Sequence, residues 1–138
     1  MIAHSEWQGG NIYEGTTANG NSVFFDAAAP YAQGPSPMEA VLMALCACTS
    51  VDVVSILQKK REPVLGLRVS ATAEQATEPP RVFTHIKLTY AVSGRVSRQA
   101  AERAVELSKG KYCSVSKMLE KSATIDFEVV MVDEDEQP

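Results

Sequence analysis

The chain has 138 residues, 45% of them hydrophobic, and thirteen Lys and Arg against seventeen Asp and Glu give it a formal charge of −4. That length and apolar content fit one compact domain, residues 1–138, able to fold without a disulfide framework. The acidic balance excludes the basic footprint of a nucleic-acid binder, and three cysteines cannot all pair within one molecule, which points to thiols in a reducing compartment.

The charges are unevenly spread. Residues 1–58 hold five acids and no Lys or Arg, residues 59–132 hold thirteen basic and eight acidic side chains, and residues 133–138 are read as an acidic, frayed tail. An anion bound by the first third therefore needs cations from later in the chain or from another subunit. No positively charged leader with a small-residue cleavage site opens the sequence, and Asp52 interrupts the long apolar run before the ~20 residues a membrane span needs. The chain is read as soluble and cytoplasmic, with no membrane partner.

In chain order, residues 2–26 break into short segments at Gly9-Gly10, Gly15 and Asn19-Gly20. Asn19-Gly20, between IYEGTT and NSVFFD, is read as a two-residue type I′ turn, which requires positive φ at both central positions; the segment is thus an N-terminal β-meander. The Ala-, Pro- and Gly-rich stretch AAAPYAQGPSP follows as a linker. Ser36-Pro37-Met38-Glu39 then starts a helix: Ser36 caps, Pro37 takes the first helical position, and Glu39 reaches back to the Ser36 amide. This long central helix is expected to run to about Arg61, stopped by Pro63, with Lys59, Lys60 and Arg61 complementing its dipole.

VLGLRVSATAEQ and RVFTHIKLTYAVSG alternate at period two and are joined by Glu78-Pro79-Pro80, which predicts antiparallel strands. SRQAAERAVELSK predicts a helix from Ser97 to Lys109 ended by Gly110; CSVSKMLEKS predicts a short helix from near Cys113, and residues 124–132 a closing strand. The order β-β-β-α-β-β-α-α-β contains no repeat, and its clustered strands argue for an α+β fold with an antiparallel sheet.

Cys46 and Cys48 lie in the apolar helix, where a free cysteine is ordinarily a small buried hydrophobe. Two residues apart on a helix, they sit about 200° around the axis from each other, so one site cannot use both. Asp52, four residues after Cys48 and on the same face, marks Cys48 as the one nearer a polar surrounding; the plainer reading of Asp52 is a solvated helix face. A carboxylate there would raise the Cys48 pKa unless a cation compensates. Cys113 sits at a helix N-terminus beside Lys111, which by itself predicts the more acidic thiol. Metal binding is disfavoured, since C-x-C is not the usual zinc spacing and His4 and His85 are distant in sequence.

The Ser36-Pro37-Met38-Glu39 start, an apolar helix carrying Cys48, then Lys111-Tyr112-Cys113-Ser114-Val115-Ser116 and a closing strand together resemble the OsmC/Ohr family of thiol-dependent hydroperoxide reductases. VDVVSILQKK and RVFTHIKLTY look like the less characterised bacterial branch of that family. The resemblance covers most of the chain and implies an α+β homodimer of intertwined subunits, with the central helices packed together. It implies Cys48 as the peroxidatic cysteine and Cys113 as the resolving one, an organic hydroperoxide as substrate, a lipoyl-type or other dithiol as reductant, and no metal or bound cofactor.

The pattern is incomplete. Better-known members place an arginine in the N-terminal strands, oriented by a glutamate before the central helix, and this chain has no Arg or Lys before Lys59. Arg81 and His85 are candidate substitutes, set against their plainer readings as a strand-end charge and an ordinary strand histidine. Glu39 stands near the family's glutamate, although the capping box explains it without catalysis. The reading is accordingly a thiol peroxidase; the alternative is a non-enzymatic dimer that binds a small hydrophobic ligand at its interface pocket. Cys46 is read as packing.

Overall fold

A computed structural model describes residues 1–133; the expected acidic tail lies, from residue 134 onward, outside them. The elements follow the expected order: β1 (Ala3–Trp7), β2 (Ile12–Thr17), β3 (Ser22–Asp26), α1 (Pro37–Lys59), β4 (Val64–Gln75), β5 (Phe83–Gly94), α2 (Arg98–Leu107), a π-helical turn (Ser108–Tyr112), α3 (Ser114–Leu119) and β6 (Thr124–Met131). The chain divides into two compact units, Met1–Met43 and Ala44–Pro138.

The first unit is an antiparallel meander in the order β1-β2-β3. Its second turn falls at Asn19-Gly20, but only Gly20 takes a positive φ, +85°. The Gly20 N–H donates to the Thr17 carbonyl and the Thr17 N–H to Asn21 O, both at 2.9 Å, so the loop has three residues ending in a left-handed glycine rather than the expected type I′ pair. The linker is organised by Asp26, a buried carboxylate that accepts from the Ala28 and Gln33 amides at 3.1 and 3.3 Å. The helix start is as expected: the Glu39 amide donates to Ser36 Oγ at 3.1 Å and the Ser36 amide to Glu39 Oε1 at 2.9 Å, a reciprocal capping box.

α1 is 23 residues long and apolar enough, by length and composition, to cross a membrane, so Asp52 does not by itself exclude a span. In the second unit the helix instead supplies a buried stripe, Leu45, Thr49, Val53 and Leu57, spaced four apart on one face. Burying each of the three aliphatic members contributes roughly 1.5–3 kcal/mol. The helix ends in a Schellman motif: Glu62 N–H donates to Leu57 O and Arg61 N–H to Gln58 O, with Arg61 in the left-handed region at φ +59°.

The second unit's sheet has β5 at its centre, in the order β4-β5-β6. Alternate β5 residues, Ile86, Leu88, Tyr90 and Val92, face the core with Ala101, Ala104 and Val105 of α2 and Ile125 and Val129 of β6. β4 pairs antiparallel with β5 as expected, whereas β6 pairs parallel to it, so the sheet is mixed rather than antiparallel. The reason is the connection: α2 and α3 together form the helical crossover that two parallel strands require, while Glu78-Pro79-Pro80 closes a hairpin. Gly110 does not end α2; the helix passes at Ser108 into the π-helical turn, which runs through Gly110 to Tyr112.

Candidate functional site

Cys48 lies on α1, half-buried, and Cys113 caps the N-terminus of α3 with no exposed surface. The fold brings these two thiols near each other, close enough that Cys48 makes the Cys113 proton harder to remove. Cys113 is placed at a helix start as expected, its Sγ accepting from the Ser116 amide at 3.4 Å. Its acidity is the reverse of that expected from the helix end alone. Burial pushes the thiol above its ordinary range, outweighing the Ser116 hydrogen bonds that pull it down, and Cys48 pushes it further up. Lys111 does not alter this, since its Nζ lies 5.3 Å from the centre of the Tyr112 ring and it is not among the groups acting on Cys113.

Cys46 is not among the groups acting on Cys113. Burial raises its thiol above the usual range, and its carbonyl accepts from Ser50 Oγ at 2.7 Å.

A chain of hydroxyls joins α1 to the sheet and to the π-helical turn. Tyr90 Oη lies 2.7 Å from Thr49 Oγ1, Thr49 Oγ1 lies 2.8 Å from Ser108 Oγ, and Ser108 Oγ donates to Asp52 Oδ2 at 2.8 Å. Because the Ser108 proton goes to the carboxylate, Ser108 Oγ must accept from Thr49, and Thr49 Oγ1 in turn from Tyr90. Tyr90, Thr49 and Ser108 are essentially without exposed surface. Burial, opposed by the Thr49 hydrogen bond and reinforced by Cys113, Cys46 and Asp52, pushes the Tyr90 hydroxyl up to about 12. Asp52 is thus neither a free surface charge nor a direct partner of Cys48. It ends this chain, and it also lines an open cleft of about 340 Å³ with Ser55, Ile56, Lys59, Lys60, Leu107 and Tyr112.

The other candidates lie elsewhere. His85 Nε2 is 2.7 Å from Asp126 Oδ2, a cross-strand pair on the exposed side of the sheet. Arg81 is exposed and its carbonyl accepts from Gln75 Nε2 at 2.9 Å. Glu39 is occupied by the capping box. Neither Arg81 nor His85 is among the groups acting on Cys113. Among the described residues no three His, Cys, Asp or Glu side chains group as a metal site requires. Thr49, Ser108 and Tyr90 escaped the sequence reading. A hydroxyl inside an apolar helix flags Thr49, but no local pattern links it to Ser108, 59 positions away.

Comparison with known proteins places the chain in a family. Residues 30–128 match the family model described as OsmC-like protein. Protein YhfA of Escherichia coli K12 is 47% identical over 133 residues, covering 94% of this chain and 98% of that protein. A hypothetical protein of Aquifex aeolicus VF5 superposes with a TM-score of 0.82 at 29% identity, over 95% of this chain and 96% of that one. The organic hydroperoxide resistance protein OhrB of Bacillus subtilis shares the fold at a TM-score of 0.71 and 15% identity, over 94% of this chain and 98% of that one. With most of its length matched, the chain belongs to the OsmC-like protein family.

Proposed function

We propose that the protein is a thiol-dependent peroxidase that reduces organic hydroperoxides through Cys48, with Cys113 as the resolving cysteine. The observation that carries this reading is that Cys48, on α1, lies near enough to Cys113, at the start of α3, to act on its thiol. Cys48 is the half-buried member and can be reached by substrate; Cys113 is enclosed and holds its proton, which suits the partner that waits. The OsmC-like family membership and the fold shared with an organic hydroperoxide resistance protein support the same reading.

The chemistry follows from the pair. The Cys48 thiolate attacks the distal oxygen of the hydroperoxide, the O–O bond breaks, and the alkoxide leaves and takes a proton to become the alcohol. Cys48 is now a sulfenic acid. Cys113 sulfur attacks Cys48 sulfur, its proton and the sulfenic hydroxyl depart as water, and a disulfide remains. An external dithiol reductant returns both thiols by exchange and becomes a disulfide itself. The cleft beside Asp52 pairs apolar Ile56 and Leu107 with Lys59 and Lys60, a lining that suits a small organic molecule; neither cysteine lines it, and Asp52, one turn along α1 from Cys48, is its link to the thiol. The cycle runs in a homodimer with partner subunits meeting along α1.

The test is one equivalent of an alkyl hydroperoxide followed by peptide mass mapping. A Cys48–Cys113 disulfide that disappears in Cys48→Ser is the expected outcome. Absence of any thiol oxidation at stoichiometric peroxide sinks the proposal.

A further inference from the structure

Ser108 connects the two elements that carry the thiols. Through its hydroxyl it bonds Thr49 and Asp52, the residue after Cys48 and the residue one turn beyond it. Through its carbonyl it accepts the Cys113 N–H at 2.8 Å, the bond from residue i to i+5 that defines the π-helical turn. One serine thus grips the turn of α1 that begins at Cys48 with its side chain and the capping residue of α3 with its backbone.

The hydroxyl chain makes that grip specific. With a carboxylate acceptor at one end and a phenol donor at the other, every buried hydroxyl donates once and accepts once where the chain requires it. Loss of any middle member leaves a buried donor or acceptor unpaired, so the geometry held by Ser108 is favoured over its neighbours. π-helical turns are uncommon and collect at functional sites, and this one ends on the resolving thiol.

We propose that Ser108 is a positioning residue for the dithiol: by tying Cys113 to the Cys48 turn of α1, it raises the effective concentration of one thiol toward the other. The proposal rests on the reading of Cys48 and Cys113 as a reactive pair, and not on peroxide as the oxidant. It goes beyond the family's thiol pair by assigning the joint that holds the pair together.

The test uses the full chain carrying Cys46→Ser, equilibrated with reduced and oxidised glutathione. The Cys48 thiolate attacks the oxidised glutathione disulfide and releases one glutathione thiolate, leaving a mixed disulfide at Cys48. Cys113, giving up its proton to solvent, then attacks Cys48 sulfur and expels the second glutathione thiolate. Two electrons have passed from the protein dithiol to oxidised glutathione. Mass spectrometry counts reduced, mixed and closed forms. Ser108→Ala and the near-isosteric Thr49→Val are each expected to lower the closure constant about tenfold, with the mixed disulfide accumulating. Ser108→Thr or Thr49→Ser restores closure, because the hydroxyl returns.

A purely structural role would weaken the reduced and closed forms equally against urea and leave the closure constant unchanged; that result overturns the proposal. Thr49→Val keeps the test alive should Ser108→Ala fail to fold. A parent protein that stops at the mixed disulfide overturns the pair and the positioning role together, whereas a parent that closes no better than its variants overturns the positioning role alone.

Discussion

At Cys113 two opposite influences meet, and magnitude decides between them. A helix N-terminus stabilises a thiolate, but its influence reaches only the first turn, while complete burial removes the water a thiolate needs. Burial wins. A site-resolved alkylation time course at neutral pH is therefore expected to modify Cys48 well before Cys113; faster labelling of Cys113 would exchange the proposed roles. The same burial has a pH signature. Cys113 and Tyr90 both hold their protons more tightly folded than unfolded, so as pH rises the unfolded chain releases protons first and stability falls. Their contributions are intact below the unfolded values and decline as pH rises through the folded ones. For Tyr90 the window runs from 10.0 to about 12, a shift corresponding to roughly 2–3 kcal/mol once complete. Urea midpoints measured across that window should fall, and Tyr90→Phe should flatten the decline above pH 10. The sequence made the position of Cys113 legible, because caps are local, but not its burial, which depends on the strands and helices that close over it.

Among the elements, the start of α1 was readable because a capping box lies within four consecutive residues, Ser36 to Glu39, and both of its hydrogen bonds form. Ser36→Ala is expected to cost about 1 kcal/mol, read as a lower urea midpoint. The end of α1 depends on Arg61 in a left-handed conformation that glycine adopts more easily. Arg61→Gly should therefore stabilise by several tenths of a kcal/mol in the same measurement, even though it removes a cation from the helix end. Gly94 is the opposite case. Its φ is +110°, and an added Cβ would clash with Pro63 O and Leu65 N, backbone atoms at the bulge where β4 begins. Gly94→Ala should cost about 2–4 kcal/mol, whereas Gly110→Ala, whose Cβ would enter open space, should be neutral or better. Gly110 resembled a helix stop in sequence, yet its φ is not positive and the turn continues through it; the Cys113 N–H to Ser108 O bond that carries the turn spans five residues and has no composition signal.

On the scale of the molecule, α1 buries only one stripe, and Met43 and Val51 remain 58% and 69% exposed. The meander likewise exposes Trp7, Val23 and Phe24. Such surfaces are of the kind a partner covers, and on the proposed homodimer sedimentation should give twice 14.9 kDa, with Val51→Lys shifting the protein toward monomer. If Val51→Lys sediments as the parent does, α1 is not the contact. By itself the sequence determined the order of the elements, the helix cap and the hairpin positions, because each is written in the spacing of neighbouring residues. Only the tertiary structure decided that β6 runs parallel to β5, that burial raises the Cys113 thiol, and that Thr49, Ser108, Asp52 and Tyr90 form one hydrogen-bonded chain. The physical reason is common to all three: strand direction, desolvation and buried hydrogen bonding are properties of groups that meet in space, in the hydroxyl chain from 41 to 59 positions apart in sequence.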